Sequence, residues 1–394
     1  MKRNSVELLA PAGDLEKAYF ALEYGADAIF LGAKAYSLRA HASNFEIKDI
    51  KEIVDYAHSI NKKVYIVTNI ICHNSLLKSA NDFIDKLVSI QPDGFITADP
   101  FLIKMLNEKK QVIHVSTQQS ICNSKSAMFW KRNGATRVVL AREVSFDEME
   151  LLMKNLKNQI EVEVFIHGAV CISYSGRCMM SNNFSLRDAN IGGCAQSCRW
   201  VYEVKNPEIE NKSKFFTMSA KDMIQIEYID KLLEIGVASF KIEGRMKSLH
   251  YIATVVKAYR QYIDKHQQYQ ISYNELLNAA NRPVDTAFMD GDANYDKMLY
   301  HDEIKKLRQN FVFIINKKID DYTYEILVKN HFKIDDDFEI LRQNDKNVNI
   351  KIEKMWDCEK QELFSCITPM QVVIIKTNCN ELYKKNIGRI KCIV

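Results

Sequence analysis

VELLAPAGDLEKAYFALEYGADAIFLG, residues 6–32, sets two short apolar runs on either side of one amphipathic segment. Val6–Ala10 and Ala28–Leu31 are short and continuously apolar, the pattern of strands covered on both faces. Leu15–Tyr24 carries its apolar residues at helical spacing and stops at Tyr24-Gly25, where glycine can take the left-handed turn that ends a helix. Strand, helix and strand in that order place the two strands parallel, because a crossover is needed to bring the chain back to the same end of a sheet.

The unit repeats along the chain. Further strands are predicted at Lys63–Ile70, Gly94–Ala98, Val112–Ser116, Arg137–Ala141, Val162–Ile166 and Ser239–Ile242. Helical patterns fall between most of them, at Ile47–Ile60, Leu76–Ile90, Ser124–Arg132, Phe146–Leu156 and Ile226–Ile235, and Tyr251–Lys265 follows the last. Eight strands with this period predict an α/β fold, a closed (β/α)8 TIM-like barrel over residues 1–265. An open doubly wound sheet is the alternative, but no G-x-G-x-x-G turn follows the first strand. Residues 266–310 read as a polar connector containing NRPVDTAFMDGDAN (281–294). Residues 311–394 change texture to short alternating runs such as FVFIINKK and YTYEILVK, which predicts a small C-terminal all-β barrel domain.

Composition narrows the function class only a little. Hydrophobic residues make up 47% and charged residues 26%, as in a soluble globular protein. No apolar run approaches the ~18 residues needed to cross a bilayer. The N-terminal MKRNSVELLAPAG passes directly into a strand pattern, so no signal peptide and a cytoplasmic location are expected, with no membrane partner. The net charge of +4 permits an RNA partner without requiring one.

The densest chemistry lies between residues 161 and 200, EVEVFIHGAVCISYSGRCMMSNNFSLRDANIGGCAQSCRW. Cys171, Cys178, Cys194 and Cys198 give C-x6-C, a fifteen-residue gap and C-x3-C, and are four of the chain's ten cysteines. In a reducing compartment such clustering points to metal binding or redox chemistry before disulfides. A structural zinc suits the C-x3-C pair, while C-x6-C is wide for it. An iron–sulfur cluster also takes four thiolates, at corners further apart. Gly168, Gly176, Gly192 and Gly193 would let backbone N–H groups approach the sulfurs. Unrelated buried thiols are the third reading, and the spacing leaves all three open. Cys171 lies four residues after His167, but proximity in sequence does not make a nucleophile–base pair, and no H-E-x-x-H motif is present.

A (β/α)8 barrel does its chemistry at the C-terminal ends of its strands. There the chain places Arg39, Arg142 with Glu143, His167, and Lys241 with Glu243 and Arg245. The cysteine segment, 168–213, becomes an insertion after strand 7 at the same face. Arg39, Arg142, Lys241 and Arg245 at one mouth suit an anionic small molecule. His167 and Glu243 are the acid–base candidates.

EVFIHGAVCISYSGRCMMS (163–181) resembles the diagnostic motif of the collagenase-like peptidases, peptidase family U-thirty-two. ELLAPAGDLEKA (7–18), YGADAIFLG (24–32), STQ (116–118), RVVLARE (137–143), CAQSCRW (194–200) and SFKIEGRMKS (239–248) read as further blocks of that family. The C-terminal strands are similar to the extra barrel of its TrhP branch of tRNA hydroxylation proteins. The resemblance implies oxygen-independent hydroxylation of an RNA base or a quinone ring, despite the peptidase label. It implies a 4Fe–4S cluster on Cys171, Cys178, Cys194 and Cys198, with zinc the alternative metal. For the TrhP branch it implies 5-hydroxyuridine at the wobble position of tRNA, formed with prephenate as co-substrate. The expected partners are then a tRNA anticodon loop, a small anion and a second copy in a homodimer. The family's older label keeps a collagenase-like peptidase as the rival, and ribosomal RNA or a quinone as rival substrates.

Overall fold

In the computed structural model, which describes residues 6–37, 45–204, 214–291, 295–299 and 309–391, eight parallel strands close on themselves. They are β1 (Glu7–Pro11), β2 (Ala28–Gly32), β3 (Lys63–Thr68), β4 (Gly94–Thr97), β5 (Ile113–Val115), β6 (Arg137–Val139), β7 (Glu161–Ala169) and β8 (Ser239–Ile242). Each pairs with the next along the chain, and Ser239 stands opposite both Glu163 and Glu7, which shuts the barrel. The predicted TIM-like barrel is therefore the fold.

The outer ring is α1 (Leu15–Glu23), α2 (Ile47–Ser59), α3 (Asn74–Val88), α4 (Pro100–Glu108), α5 (Ser124–Arg132), α6 (Phe146–Leu156), α7 (Ile229–Glu234) and α8 (Leu249–Ile263). Several start on a side-chain cap: Asp14 accepts from the Lys17 amide, and Asp99 from the Phe101 amide. The reading of the sequence left no helix between β4 and β5. Pro100 looks like a breaker there, but it occupies the first helical turn, where no amide hydrogen bond is lost. The connector is also more ordered than expected, since α9 (Tyr269–Ala279) runs through it and packs on α8. Its buried face is only Ser272, Leu276, Leu277 and Ala279, too sparse to stand out in a polar stretch.

Inside the barrel, Leu9, Ala28, Phe30, Tyr65, Val67 and Ile96 form one apolar cluster. Around it runs a buried ionic chain. Arg137 bonds Glu7 at 2.5 Å and Glu163 at 3.2 Å, and the other side of Glu163 meets Lys241 at 2.7 Å. Tyr65 donates to Glu7 at 2.7 Å.

Between β7 and α7 the chain leaves the barrel for the cysteine-bearing segment. Its described residues contain a short helix (Met180–Ser185), three single-turn 3-10 helices and an antiparallel pair, Tyr202–Val204 with Lys214–Phe216. It returns through Asp222–Ile224, which pairs antiparallel with the end of β7, so the excursion continues past residue 213.

The C-terminal domain is all-β, a half-barrel built on a seven-stranded antiparallel sheet. Its strands are β9 (Gln309–Lys318), β10 (Thr323–Val328), β11 (Phe338–Leu341), β12 (Val348–Ile350), β13 (Ile352–Trp356), β14 (Val372–Thr377) and β15 (Ile387–Lys391), in the order β12-β11-β15-β9-β10-β14-β13. It has its own core around Phe313, Phe332 and Phe338. Ile314, Leu341 and Ile387 belong instead to the core of the barrel's helices. Tyr24, the C-cap of α1, donates to the Leu341 and Lys385 carbonyls, and buried Arg389 bridges Glu275 of α9 and Glu339, both at 2.6 Å.

Candidate functional site

Two adjoining cavities open at the C-terminal mouth of the barrel. The outer one, about 240 Å³, is lined by all four clustered cysteines together with Arg142, Glu143 and Glu243. The inner one, about 60 Å³, lies within the barrel between Phe30, Phe165, Lys241 and Arg245. Thr117, Gln118, Arg142 and Glu243 line both, so they form the partition between the two.

The cysteine segment is held over the mouth by polar ties. Glu143 accepts from the Ser175 amide at 2.7 Å, and Ser181 accepts from the Ala195 amide at 3.1 Å. The Asn190 carbonyl accepts from the Ile71 amide of the loop after β3. Burial pushes the Cys171 thiol up, and it raises Cys198 to about 11 with help from the neighbouring sulfurs. Four thiolates in one cavity repel one another, and a bound cation removes that repulsion as it displaces the protons. The donor set therefore fits a thiolate-ligated metal group. Among the described residues no three His, Cys, Asp or Glu side chains close around a single point that would hold one ion. The Cys178 sulfur accepts from the Met180 amide at 3.3 Å, an N–H···S contact supplied by the start of the short helix. Gly168 has a different use. At φ +113°, any Cβ there would lie 2.6 Å from the Glu243 carbonyl oxygen, so glycine lets β7 pass against the residue that lines the partition.

The inner cavity is cationic with aromatic walls. Arg142 stacks on Phe165 at 4.0 Å, donates to the Ala169 carbonyl, and sits 3.9 Å from Glu243. Its buried Nε has no acceptor among the described residues. Lys241 lies over Phe30 at 4.5 Å while Glu163 holds it from behind. Burial lowers the Lys241 pKa, and Glu163 opposes that shift. Arg245 reaches into the same space and donates to Ser37 at 2.9 Å.

The structure thus brings together Cys171, Cys178, Cys194, Cys198, Arg142, Lys241, Glu243 and Arg245. Arg39 lies outside the described residues. His167 lines neither cavity: it is 3% exposed, close to Tyr251 and Tyr259, and bonds the Tyr259 hydroxyl at 3.3 Å. Burial drives its pKa down to about 3, so it stays neutral. The expectation placed His167 at a strand end, whereas β7 runs on through Ala169 and pairs with Asp222–Ile224. Sequence reasoning missed Phe30 and Phe165 as walls, and Glu163 and Arg137 as the anchor beneath Lys241. A charged residue inside an otherwise apolar strand, such as Glu163 in VEVFI, is the signal that was available.

Among known proteins, the chain is 40% identical to the tRNA hydroxylation protein P1 of Bacillus subtilis, over 97% of this chain and 94% of that one. It is 34% identical to the tRNA hydroxylation protein P of Haemophilus influenzae, over 89% and 88%. It is 36% identical to a 23S rRNA 5-hydroxycytidine synthase of Escherichia coli, over 66% of this chain and 39% of that one. Residues 13–299 match the model of peptidase family U32, and residues 308–389 that of the peptidase family U32 C-terminal domain. With both parts matched, over barrel and half-barrel alike, the chain belongs to peptidase family U32.

Proposed function

We propose that this chain is an RNA-modifying hydroxylase that forms 5-hydroxyuridine at the wobble position of tRNA, by an oxygen-independent route that uses prephenate. The observation that carries the reading is the pair of cavities, one lined by four thiols and the other by three cations, sharing Thr117, Gln118, Arg142 and Glu243. Names of relatives add the substrate class: two that match most of this chain are named for tRNA hydroxylation, and a ribosomal RNA synthase matches a smaller share.

Cys171, Cys178, Cys194 and Cys198 would hold a 4Fe–4S cluster: all four line one cavity, and such a cluster takes four thiolates. When bound, such a cluster supplies one-electron transfer at a potential set by burial and hydrogen bonds to sulfur. Arg142, Lys241 and Arg245 hold the carboxylates of a small dianion in the inner cavity, where arginine forks match carboxylate geometry. Phe30 and Phe165 receive its ring. Glu243 faces both cavities and serves as the acid–base group between the small molecule and the base. An anticodon-loop uridine is unpaired, so it turns out into the outer cavity at little cost.

Mass spectrometry of tRNA nucleosides from cells lacking the gene tests this directly. Loss of 5-hydroxyuridine and its derivatives, restored by the wild-type gene and not by Cys171→Ala, is the expected result. An unchanged tRNA profile together with loss of a hydroxylated ribosomal base would transfer the activity to ribosomal RNA. Metal analysis of the purified protein decides between iron and zinc.

A further inference from the structure

The outer cavity opens among exposed apolar side chains, Met246 of its own lining included. Tyr174 (55% exposed), Met179 (60%) and Trp200 (42%) each adjoin cavity-lining residues in the chain, so they stand at the edge of the opening. Phe184 is 54% exposed and belongs to the short helix whose first residues line the cavity. Leu186, just after that helix, is held at φ +53° with 94% of its surface in solvent. Soluble proteins seldom leave such apolar groups clustered at one opening without a use for them. Two of the rings also have side-chain partners. The Tyr174 hydroxyl is tied to the Cys122 sulfur at 2.9 Å, and Phe184 leans on Tyr202, which leans on Phe216. Between Val170 and Val201 the charged residues are Arg177, Arg187 and Arg199 against Asp188 alone, a surplus of two positive charges. Arg177 and Arg187 are exposed, while Asp188 caps a turn at the Asn190 amide.

We propose that this rim is a docking surface for single-stranded RNA. Bases flanking the one that enters the cavity stack on Tyr174, Phe184 and Trp200, and their phosphates meet Arg177 and Arg187. The proposal deepens the RNA reading above and rests on it. Preset aromatic faces interleaved with arginines suit single strands, because every base offers a π-face and every nucleotide a negative charge. A second copy of this chain would bring the same positive sign against it, which opposes self-association through this face.

The test is fluorescence anisotropy with the full chain, using an RNA hairpin with an unpaired loop and a fully paired duplex of matched length. The wild type is expected to prefer the hairpin. Phe184→Ala and Trp200→Ala should each weaken hairpin binding roughly tenfold, with Trp200→Phe retaining most of it. Arg177→Gln and Arg187→Gln should each reduce the slope of log affinity against log salt by about 0.7. These side chains are exposed, so unchanged thermal melting verifies that each variant is folded. Wild-type protein that binds neither RNA would overturn both the rim and the RNA reading. Hairpin binding unaffected by all the rim variants would overturn the rim alone. Rim variants that dissociate a dimer while leaving RNA binding unchanged would assign the surface to a second copy and overturn it too.

Discussion

Glu163 has no exposed surface and meets a cation on each side, Arg137 and Lys241, deep inside the barrel. Removing one member of such a set strands the others, so Glu163→Gln should cost roughly 3–5 kcal/mol in urea unfolding. Glu243, by contrast, lines the partition, and Glu243→Gln should lower turnover about 10²- to 10⁴-fold with RNA affinity unchanged, as single-turnover assays and titrations would show. His167→Gln should keep that turnover, because the ring faces Tyr259 and not the cavities. Burial lowers both His167 and His250 from 6.5 to about 3, so the unfolded chain takes up protons that the folded one does not. Their neutral burial stabilises fully above pH 6.5, and that stability falls as pH drops from 6.5 toward 3. Denaturant midpoints measured across that window should decline, and less steeply in His250→Phe. The mouth residues Arg142, Lys241, Glu243 and Arg245 were legible because strand ends locate them. Glu163 and Arg137 were not singled out, since their role depends on which strands the closed barrel sets side by side.

The cysteine segment is an element in its own right, tied at one end by β7 and at the other by Asp222–Ile224. Gly168 sits at that junction, and Gly168→Ala would force its Cβ against the Glu243 carbonyl. Steady-state kinetics should show turnover lost while the barrel's far-ultraviolet dichroism is kept. With the proposed cluster on the four thiols, Cys171→Ala should lose iron and visible absorbance, and chelation of the wild type should do the same. The barrel's strands could be read from the chain because buried parallel strands are continuous apolar runs. α4 and α9 could not, one because a proline masks its start and the other because few of its residues are buried. The return strand Asp222–Ile224 is three residues long and becomes a strand by pairing with β7 on one side and Val284–Asp285 on the other.

At the scale of the molecule, the half-barrel and the barrel are packed against each other. They share apolar core through Ile314, Leu341 and Ile387, and the fully buried Arg389 is held by carboxylates from both sides. Arg389→Met should leave Glu275 and Glu339 without their counter-ion and lower stability by roughly 3–5 kcal/mol, read by thermal or urea unfolding. The change of texture at residue 311 announces a β domain in the sequence, but the sharing of core across the join depends on tertiary contacts that no local pattern encodes. The thiols, moreover, all precede β8, the strand that closes the barrel against β1 and β7. A ribosome therefore delivers the four sulfurs before Ser239–Ile242 exists, and before Glu243 and Arg245 can take their places. Presenting the four sulfurs draws on one contiguous stretch of chain, whereas the chamber beneath draws on its whole first two-thirds. The two are separate events in the life of a newly made molecule, and the second waits for the last strand.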